Sequence, residues 1–265
     1  MFTPNIAASK VAGLIGLNHF QHETTIMFDL MMRDPTLKSR IQAIMTANKR
    51  VSLSKLKQDI VNDPDISGLV NAAVRETEGL KDITPVLDAV MDRARTVLSL
   101  RHSDISPVVR EILVDEVRGS VRCRRGNNNE NAALDMYELV NGVKVQDRNT
   151  KSFKKVYDGF EINGRTDGFV AEHNRIVDAK ERTRKFPKVP IYDEVQLRVY
   201  MELSGATESE LVETFPDRSR RETKFVNDPS KWAVIHDGIA RAVTTMRDTI
   251  ANEEKLRDLV FANSV

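Results

Sequence analysis

Cysteine is nearly absent: Cys123 is the single one in 265 residues. One thiol excludes a disulfide framework within the chain. It also excludes a cysteine-rich zinc site and an iron–sulfur cluster. A lone thiol suits a reducing, intracellular setting. Set in "VRCRRG" with no histidine beside it, Cys123 reads as a small hydrophobe rather than a nucleophile. Long apolar runs are missing too, and nothing approaches the roughly 20 apolar residues that span a bilayer. The start "MFTPNIAASK" lacks a basic end, and "VAGLIGL" after it is short and broken by glycine, unlike a signal peptide. These absences lead us to expect a soluble intracellular protein, of cytoplasm or nucleus, with no membrane partner. The net charge is only +1, so any nucleic-acid surface has to be local. No G-x(4)-G-K-[ST] phosphate loop is present, which argues against an NTPase. There is no H-E-x-x-H helix either. His19 and His22 have ligand-like spacing, but no third partner accompanies them.

Hydrophobic residues at 40% and charged residues at 30% fit a globular chain with a real core. The length suits one large domain. Residues 7–16 read as a short helix closed by "GLN". From about 24 to 118, apolar residues recur at three- and four-residue spacing, which predicts helices almost throughout. "NNNENAALDMYELVNG" predicts a further helix, with asparagines at its start and Gly142 past its end. Then the period changes to two. Residues 143–182 predict strands, with turns at Asn163-Gly164 and Glu172–Asn174. A helix at about 191–204, strands at 209–215 and 221–226, and a helix from Pro229 to about Asn263 complete the pattern. The expectation is a single α/β domain, 1–265. Its catalytic core would take in 119–265 and the N-terminal helix 5–20, with a helical insertion at about 24–118. A separate N-terminal helical domain is the alternative.

"GRTDGFVAEHNRIVDAKERT", residues 164–183, carries the chemistry. Side chains two apart on a strand share a face, so Asp178 and Lys180 stand side by side. Asp167, on the preceding strand, can lie opposite them. Two acids and a lysine at one spot suggest a metal and a water to be activated. Plainer readings exist. Asp167 beside Gly168 could be a turn residue. Asp178 and Lys180 could form a surface ion pair of little worth. Yet "IVDAK" begins as a buried strand, where charge needs a reason.

Four pieces form an ordered set: Gly126 to Glu130 with Ala133 following, Asp167, Asp178-Ala179-Lys180, and Gln196 with Tyr200. Together they resemble the PD-(D/E)XK nuclease superfamily, closest to the lambda exonuclease/YqaJ group and its RecB-like relatives. "NIAASKVAGLIGLNHF" is similar to the start of that group. The resemblance covers residues 5–20 and about 122–228. It implies a restriction-endonuclease-like core, a mixed central sheet flanked by helices, carrying here a large N-terminal helical insertion. The enlarged helical part resembles that of nucleases encoded by large DNA viruses.

The resemblance implies a Mg²⁺-dependent deoxyribonuclease, with Mn²⁺ able to substitute. Mg²⁺ takes one or two protein carboxylates and otherwise waters and substrate phosphate. Asp167 and Asp178 can be those carboxylates. By resemblance, the backbone carbonyl of Ala179 is a further ligand and Glu130 completes the site. Lys180 would hold or deprotonate the attacking water and stabilise the oxyanion. Gln196 and Tyr200, four apart on one helix face, would touch the DNA backbone. The plainer reading makes Tyr200 core and Gln196 its hydrogen-bond partner. Taken alone, Glu130 is an ordinary solvated helix residue.

Cations cluster locally. Residues 36–58 hold six Lys/Arg and no acid, which suits a phosphate-binding face or merely a solvated helix face. Arg182, Arg184, Lys185 and Lys188 follow the catalytic lysine and would make phosphate contacts. "DRSRRETK" at 217–224 is a third cluster. In lambda-type exonucleases a serine near the first helix helps hold a 5′-phosphate, and Ser9 occupies the matching place. An ordinary helix cap is the alternative. The expected activity is 5′→3′ exonuclease action on linear DNA in recombination, repair or replication. Partners would be DNA, a possible homo-oligomer and a possible single-strand-annealing protein. An endonuclease or flap nuclease with the same site is the alternative, as is a non-catalytic DNA-binding protein on this fold.

Overall fold

The computed structural model describes residues 2–265. The chain is an α/β fold whose mixed sheet is flanked by helices and preceded by a large helical part. A short strand β1 (Asn5–Ala7) runs into α1 (Ala8–Leu14). Then come α2 (Glu23–Met31), α3 (Pro35–Ala47), α4 (Leu53–Asn62), α5 (Pro64–Glu76), α6 (Thr84–Arg101) and α7 (Pro107–Asn141). The strands β2 (Ser152–Tyr157), β3 (Phe160–Arg165), β4 (Gly168–Val170) and β5 (Arg175–Glu181) follow. The chain ends with α8 (Ile191–Ser204), β6 (Glu208–Thr214), β7 (Arg220–Val226), α9 (Pro229–Ala251) and α10 (Glu253–Ala262). No helix among the described residues is long and apolar enough to cross a membrane.

The sheet has two sections, β1-β3-β2 and β4-β5-β6-β7, joined where β3 passes through Thr166 and Asp167 into β4. The pairs β1–β3 and β5–β6 are parallel and the others antiparallel. β5 is buried from Arg175 to Ala179 because helices cover both of its faces. Ile176 enters the main core with α8, α9 and α10, while Val177 and Ala179 pack against Leu134 and Tyr137 of α7.

Several expectations need correction. Asn163-Gly164 is no turn; both lie inside β3. The hairpin reverses at Asp158-Gly159, where Gly159 takes φ 86°. Gly164 is needed for a different reason: a Cβ there would sit 2.7 Å from Tyr200 Cε1 and 3.0 Å from the Ala8 Cβ. Likewise Gly168 lets β4 lie against the preceding loop, since a Cβ would come within 2.2 Å of Val145 Cγ1. "RRGNNNE" does not interrupt a helix. It lies within the 35-residue α7, roughly 50 Å long at 1.5 Å per residue. The C-terminal helix breaks at Asn252, whose extended backbone ends α9 and whose side chain caps α10 by accepting from Lys255 N at 3.0 Å.

The helices before the sheet pack into more than one core. α2 and α3 bury Phe28, Met31 and Ile41 in the same core as α8–α10. A second core, from Ile60 to Val121, belongs to α4–α6 and the first half of α7. α7 serves both cores, running from the insertion to the sheet.

Candidate active site

β4 begins one residue after Asp167 and pairs with β5 through Gly168↔Val177. That register sets Asp167 beside Asp178 and Ala179. Asp167 Oδ2 accepts a hydrogen bond from Ala179 N at 2.9 Å. Asp178 is 1% exposed, and its Oδ1 has no hydrogen-bond partner. Its Oδ2 meets Lys180 Nζ at 2.9 Å. Burial pushes the Asp167 carboxyl well above the ordinary carboxylate range, and the charges of Asp178 and Glu130 push it the same way. Burial alone would lower the Lys180 pKa, but Asp178 and Asp167, joined by Asp193, outweigh it and hold the ammonium above its ordinary value. The spot is thus crowded with negative charge, and one buried carboxylate oxygen is left unsatisfied.

Glu130 reaches this spot from α7. It is half-buried and accepts from the side chain of Asn149, whose backbone N donates to Asp167 O at 3.1 Å. Asn149 adopts φ 53°, a left-handed turn conformation that asparagine tolerates better than most residues. α7 is pinned to the end of β5 by Glu181, which accepts from Asn129 at 2.8 Å and pairs with Arg125 at 2.7 Å.

Glu130, Asn149, Asp167 and Lys180 line a cleft of about 860 Å³ together with Ser9, Ala179, Gln196 and Tyr200, while Asp178 itself is buried and not part of the lining. Tyr200 is 5% exposed and accepts from Gln196 Nε2 at 2.9 Å. Burial, then the charge of Asp178, pushes its hydroxyl up to about 12. The pair is therefore both core and cleft wall. Ser9 is exposed and is not the helix cap; the cap position of α1 is Ala7, with no side-chain bond.

Other expected phosphate contacts do not converge here. Arg182 is 10% exposed and holds Asp193 Oδ2 at 2.6 Å and Glu213 Oε1 at 2.8 Å. Its guanidinium is held between two buried carboxylates. Lys185 pairs with Asp217 at 2.7 Å on the surface. Arg184 stacks over Phe186 and lines a separate hollow. The 36–58 run is not one basic face. Arg40 pairs with Glu253, Lys55 with Asp59 and Lys57 with Glu116. Arg50 ties the C-terminus down through Phe261 O and Ser264 Oγ. In the 217–224 cluster, Arg221 is likewise held by Glu213, at 2.6 Å.

The cleft is lined instead by Arg122, Arg165 and Lys154, the last of these paired with Glu161. None was legible beforehand. Arg122 sits on a helix, and Lys154 and Arg165 stand on neighbouring strands paired Ser152↔Arg165 and Lys154↔Asn163. Only the register of β2 on β3 brings them together.

Among the described residues, no three Asp, Glu, His or Cys side chains converge closely enough to cage a metal by themselves. Mg²⁺ asks for less: one or two carboxylates, with water and phosphate oxygens supplying the rest. Asp167 and Asp178, with the unpartnered Oδ1, fit that requirement.

The sequence matches no family model, and no curated protein matches it. Among solved structures, the chain is similar to an alkaline exonuclease (LHK-Exo) from Laribacter hongkongensis. The identity is 16% over 49% of this chain and 71% of that chain, with a TM-score of 0.41. It is also similar to a phage related exonuclease from Haemophilus somnus 129PT, at 13% identity over 94% of this chain and 96% of that chain, TM-score 0.47. A third likeness is to SSO0001, at 14% identity, 68% of this chain and 85% of that chain, TM-score 0.37. Likeness this distant leaves the functional reading to the site itself.

Proposed function

We propose that this chain is a divalent-metal-dependent deoxyribonuclease, acting as a 5′→3′ exonuclease on linear DNA. The observation that carries the reading is the juxtaposition of half-buried Asp167, just before β4, with buried Asp178 on β5, with Lys180 Nζ 2.9 Å from Asp178 and one carboxylate oxygen unsatisfied. Buried carboxylates without partners are costly unless a cation or a proton arrives. Asp167 and Asp178 would hold Mg²⁺, with the Ala179 carbonyl and Glu130 beside them. When bound, the ion would lower the pKa of a water and neutralise charge on the phosphate.

The chain's own residues do the rest. Lys180, kept as an ammonium by its carboxylate neighbours, donates to the attacking water and then to the oxygens gaining charge at phosphorus. Gln196 holds the Tyr200 hydroxyl by donating to it, which leaves the phenol's own proton free to point at a backbone oxygen. Arg122 and Arg165 give the cleft a positive lining that suits a polyanion. The exposed hydroxyl of Ser9 lines the same cleft, where it would meet a 5′-phosphate.

The test is degradation of end-labelled linear duplex DNA, with 5′-phosphate or 5′-hydroxyl ends, in Mg²⁺ or EDTA. Loss of label should require Mg²⁺ and be faster with 5′-phosphate. Lys180→Ala and Asp178→Asn should each reduce the rate by about 10²–10⁴-fold. Cleavage that survives both substitutions would mean the site is elsewhere. Cleavage of circles or flaps instead of ends would make the enzyme an endonuclease or flap nuclease with the same site. Binding without any cleavage would leave a DNA-binding protein on this fold.

A further inference from the structure

A second, smaller hollow of about 200 Å³ lies where the insertion meets the sheet domain. Four segments far apart in sequence line it: the α5–α6 connection with Lys81 and Asp82, α7 with Arg122 and Arg125, the loop after β5 with Arg184, and the β6–β7 connection with Pro216. Arg125 is committed to Glu181 at 2.7 Å. Lys81, Arg122 and Arg184 form no ion pair or hydrogen bond among the described residues. Asp82 is the one acid lining the hollow, and its carboxylate is turned to Thr84 N at 2.9 Å. Arg118, one turn before Arg122, has its own partner in Asp115 at 2.7 Å. Lys81, Arg122 and Arg184 thus outnumber the one acid lining the hollow, which is left with an excess of positive charge. Burial lowers the Arg122 pKa, and crowding by Arg118 and Arg184 lowers it further. Arg122 also lines the large cleft, so the two spaces communicate through one side chain.

The geometry points to a phosphate-binding subsite in this hollow, where Lys81, Arg122 and Arg184 grip a backbone phosphate of the nucleic-acid strand a short way from the scissile bond. The inference rests on the nuclease reading and extends it. It makes the helical insertion part of the substrate grip, because Lys81 and Arg122 both come from helices of the insertion or their connections. A guanidinium fork suits phosphate oxygens, and a hollow between two units admits the phosphate while the bases stay outside.

The experiment is anisotropy of a fluorescent single-stranded oligonucleotide, titrated with the full chain in EDTA over a series of salt concentrations. Wild type is compared with Arg122→Gln, Lys81→Gln, the double variant, Arg122→Lys, and Arg93→Gln. The last removes one exposed cation of α6 that lies outside both hollows. The double variant should bind about tenfold more weakly, and its slope of log K against log salt should fall by about 0.7 for one lost phosphate contact. Arg122→Lys should keep most of the slope, and Arg93→Gln all of it. Thermal unfolding of each variant establishes that it is folded. A double variant with wild-type slope would overturn the subsite while leaving cleavage, and the nuclease reading, intact. No oligonucleotide binding by wild type would overturn both together. In a calorimetric arm, inorganic phosphate that binds through Arg122 while oligonucleotide binding ignores the substitution would make this a free-anion site and refute the strand contact.

Discussion

Gly164→Ala puts the packing around the cleft to a direct test. The added methyl would lie 2.7 Å from Tyr200 Cε1, 3.1 Å from Tyr200 Cδ1 and 3.0 Å from the Ala8 Cβ. Comfortable carbon–carbon separation is about 3.5–4.0 Å, so something must move by roughly half an ångström to one ångström. Tyr200 is 5% exposed and held by Gln196, and Ala8 is fixed at the start of α1. Neither neighbour is the loose end of a flexible chain. Overpacking of this kind costs about 1–3 kcal/mol. Replacing a strand glycine returns about 0.5–1 kcal/mol of backbone entropy. The net loss is up to about 2.5 kcal/mol and about 1 kcal/mol at mid-range, the latter roughly 2–4 °C in Tm for a chain of this size. Cleavage should fall too, because the strain displaces Tyr200 and the Ser9 end of α1. Gly68→Ala provides the opposite case. Gly68 lies inside α5 with nothing within 4 Å of an added Cβ, so alanine should stabilise by about 0.5–1 kcal/mol. Thermal and urea unfolding of both variants decide the matter. A Gly164→Ala protein as stable as wild type, with unchanged cleavage, would refute the packing argument.

Mg²⁺ should raise the Tm of wild type, by about 2.7 kcal/mol of stability at a hundredfold excess over Kd, and should leave Asp178→Asn unmoved; differential scanning fluorimetry reads this without any cleavage. Arg175, 9% exposed on the side chain, pairs with Glu210 at 3.0 Å and Glu208 at 2.7 Å, so Arg175→Met strands a buried carboxylate and should cost about 3–5 kcal/mol in urea unfolding. All four tyrosines are pushed above their ordinary value, first by burial, with Tyr137 and Tyr200 at about 12. Above pH ~10 the folded chain therefore holds more protons than the unfolded one, and stability falls as pH rises through that window. Tyrosinate absorbance should stay low to about pH 11 and then rise together with loss of helix signal; a gradual rise in the folded protein would contradict the burial of these rings.

Much of this was legible beforehand because local rules decide it. Period-two patterning placed β5 and β6, period 3.6 placed α8, and strand alternation put Asp178 beside Lys180. Asp167 opposite them followed from a short hairpin whose reversal at Asn174 needs only local turn chemistry. Gly164 shows where such rules mislead. Asn-Gly reads as a turn by its own preference, but the glycine serves the ring of Tyr200, a residue 36 positions away by the numbering. Gly126 misleads the same way. It and the asparagines after it suggest a break, yet the cores at both ends of α7 hold that helix straight through.

The cations show the limit most clearly. A run of six in residues 36–58 is conspicuous in sequence, yet four of them, Arg40, Arg50, Lys55 and Lys57, answer acids or carbonyls of α10, the C-terminus, α4 and α7. Arg182, just past the end of β5, is consumed by Asp193 and Glu213. Which charge is free is a property of the neighbours, and neighbours are set by long-range packing. The sequence by itself determined the acids, the lysine and the strands that align them, because adjacent residues on a strand have fixed relative directions. Only the tertiary structure decided that Glu130, Asn149 and Ser9 face the same cleft, and that Lys81, Arg122 and Arg184 share a hollow. Those meetings depend on where α1, α7 and the insertion dock, which is governed by three separate apolar cores rather than by any local pattern.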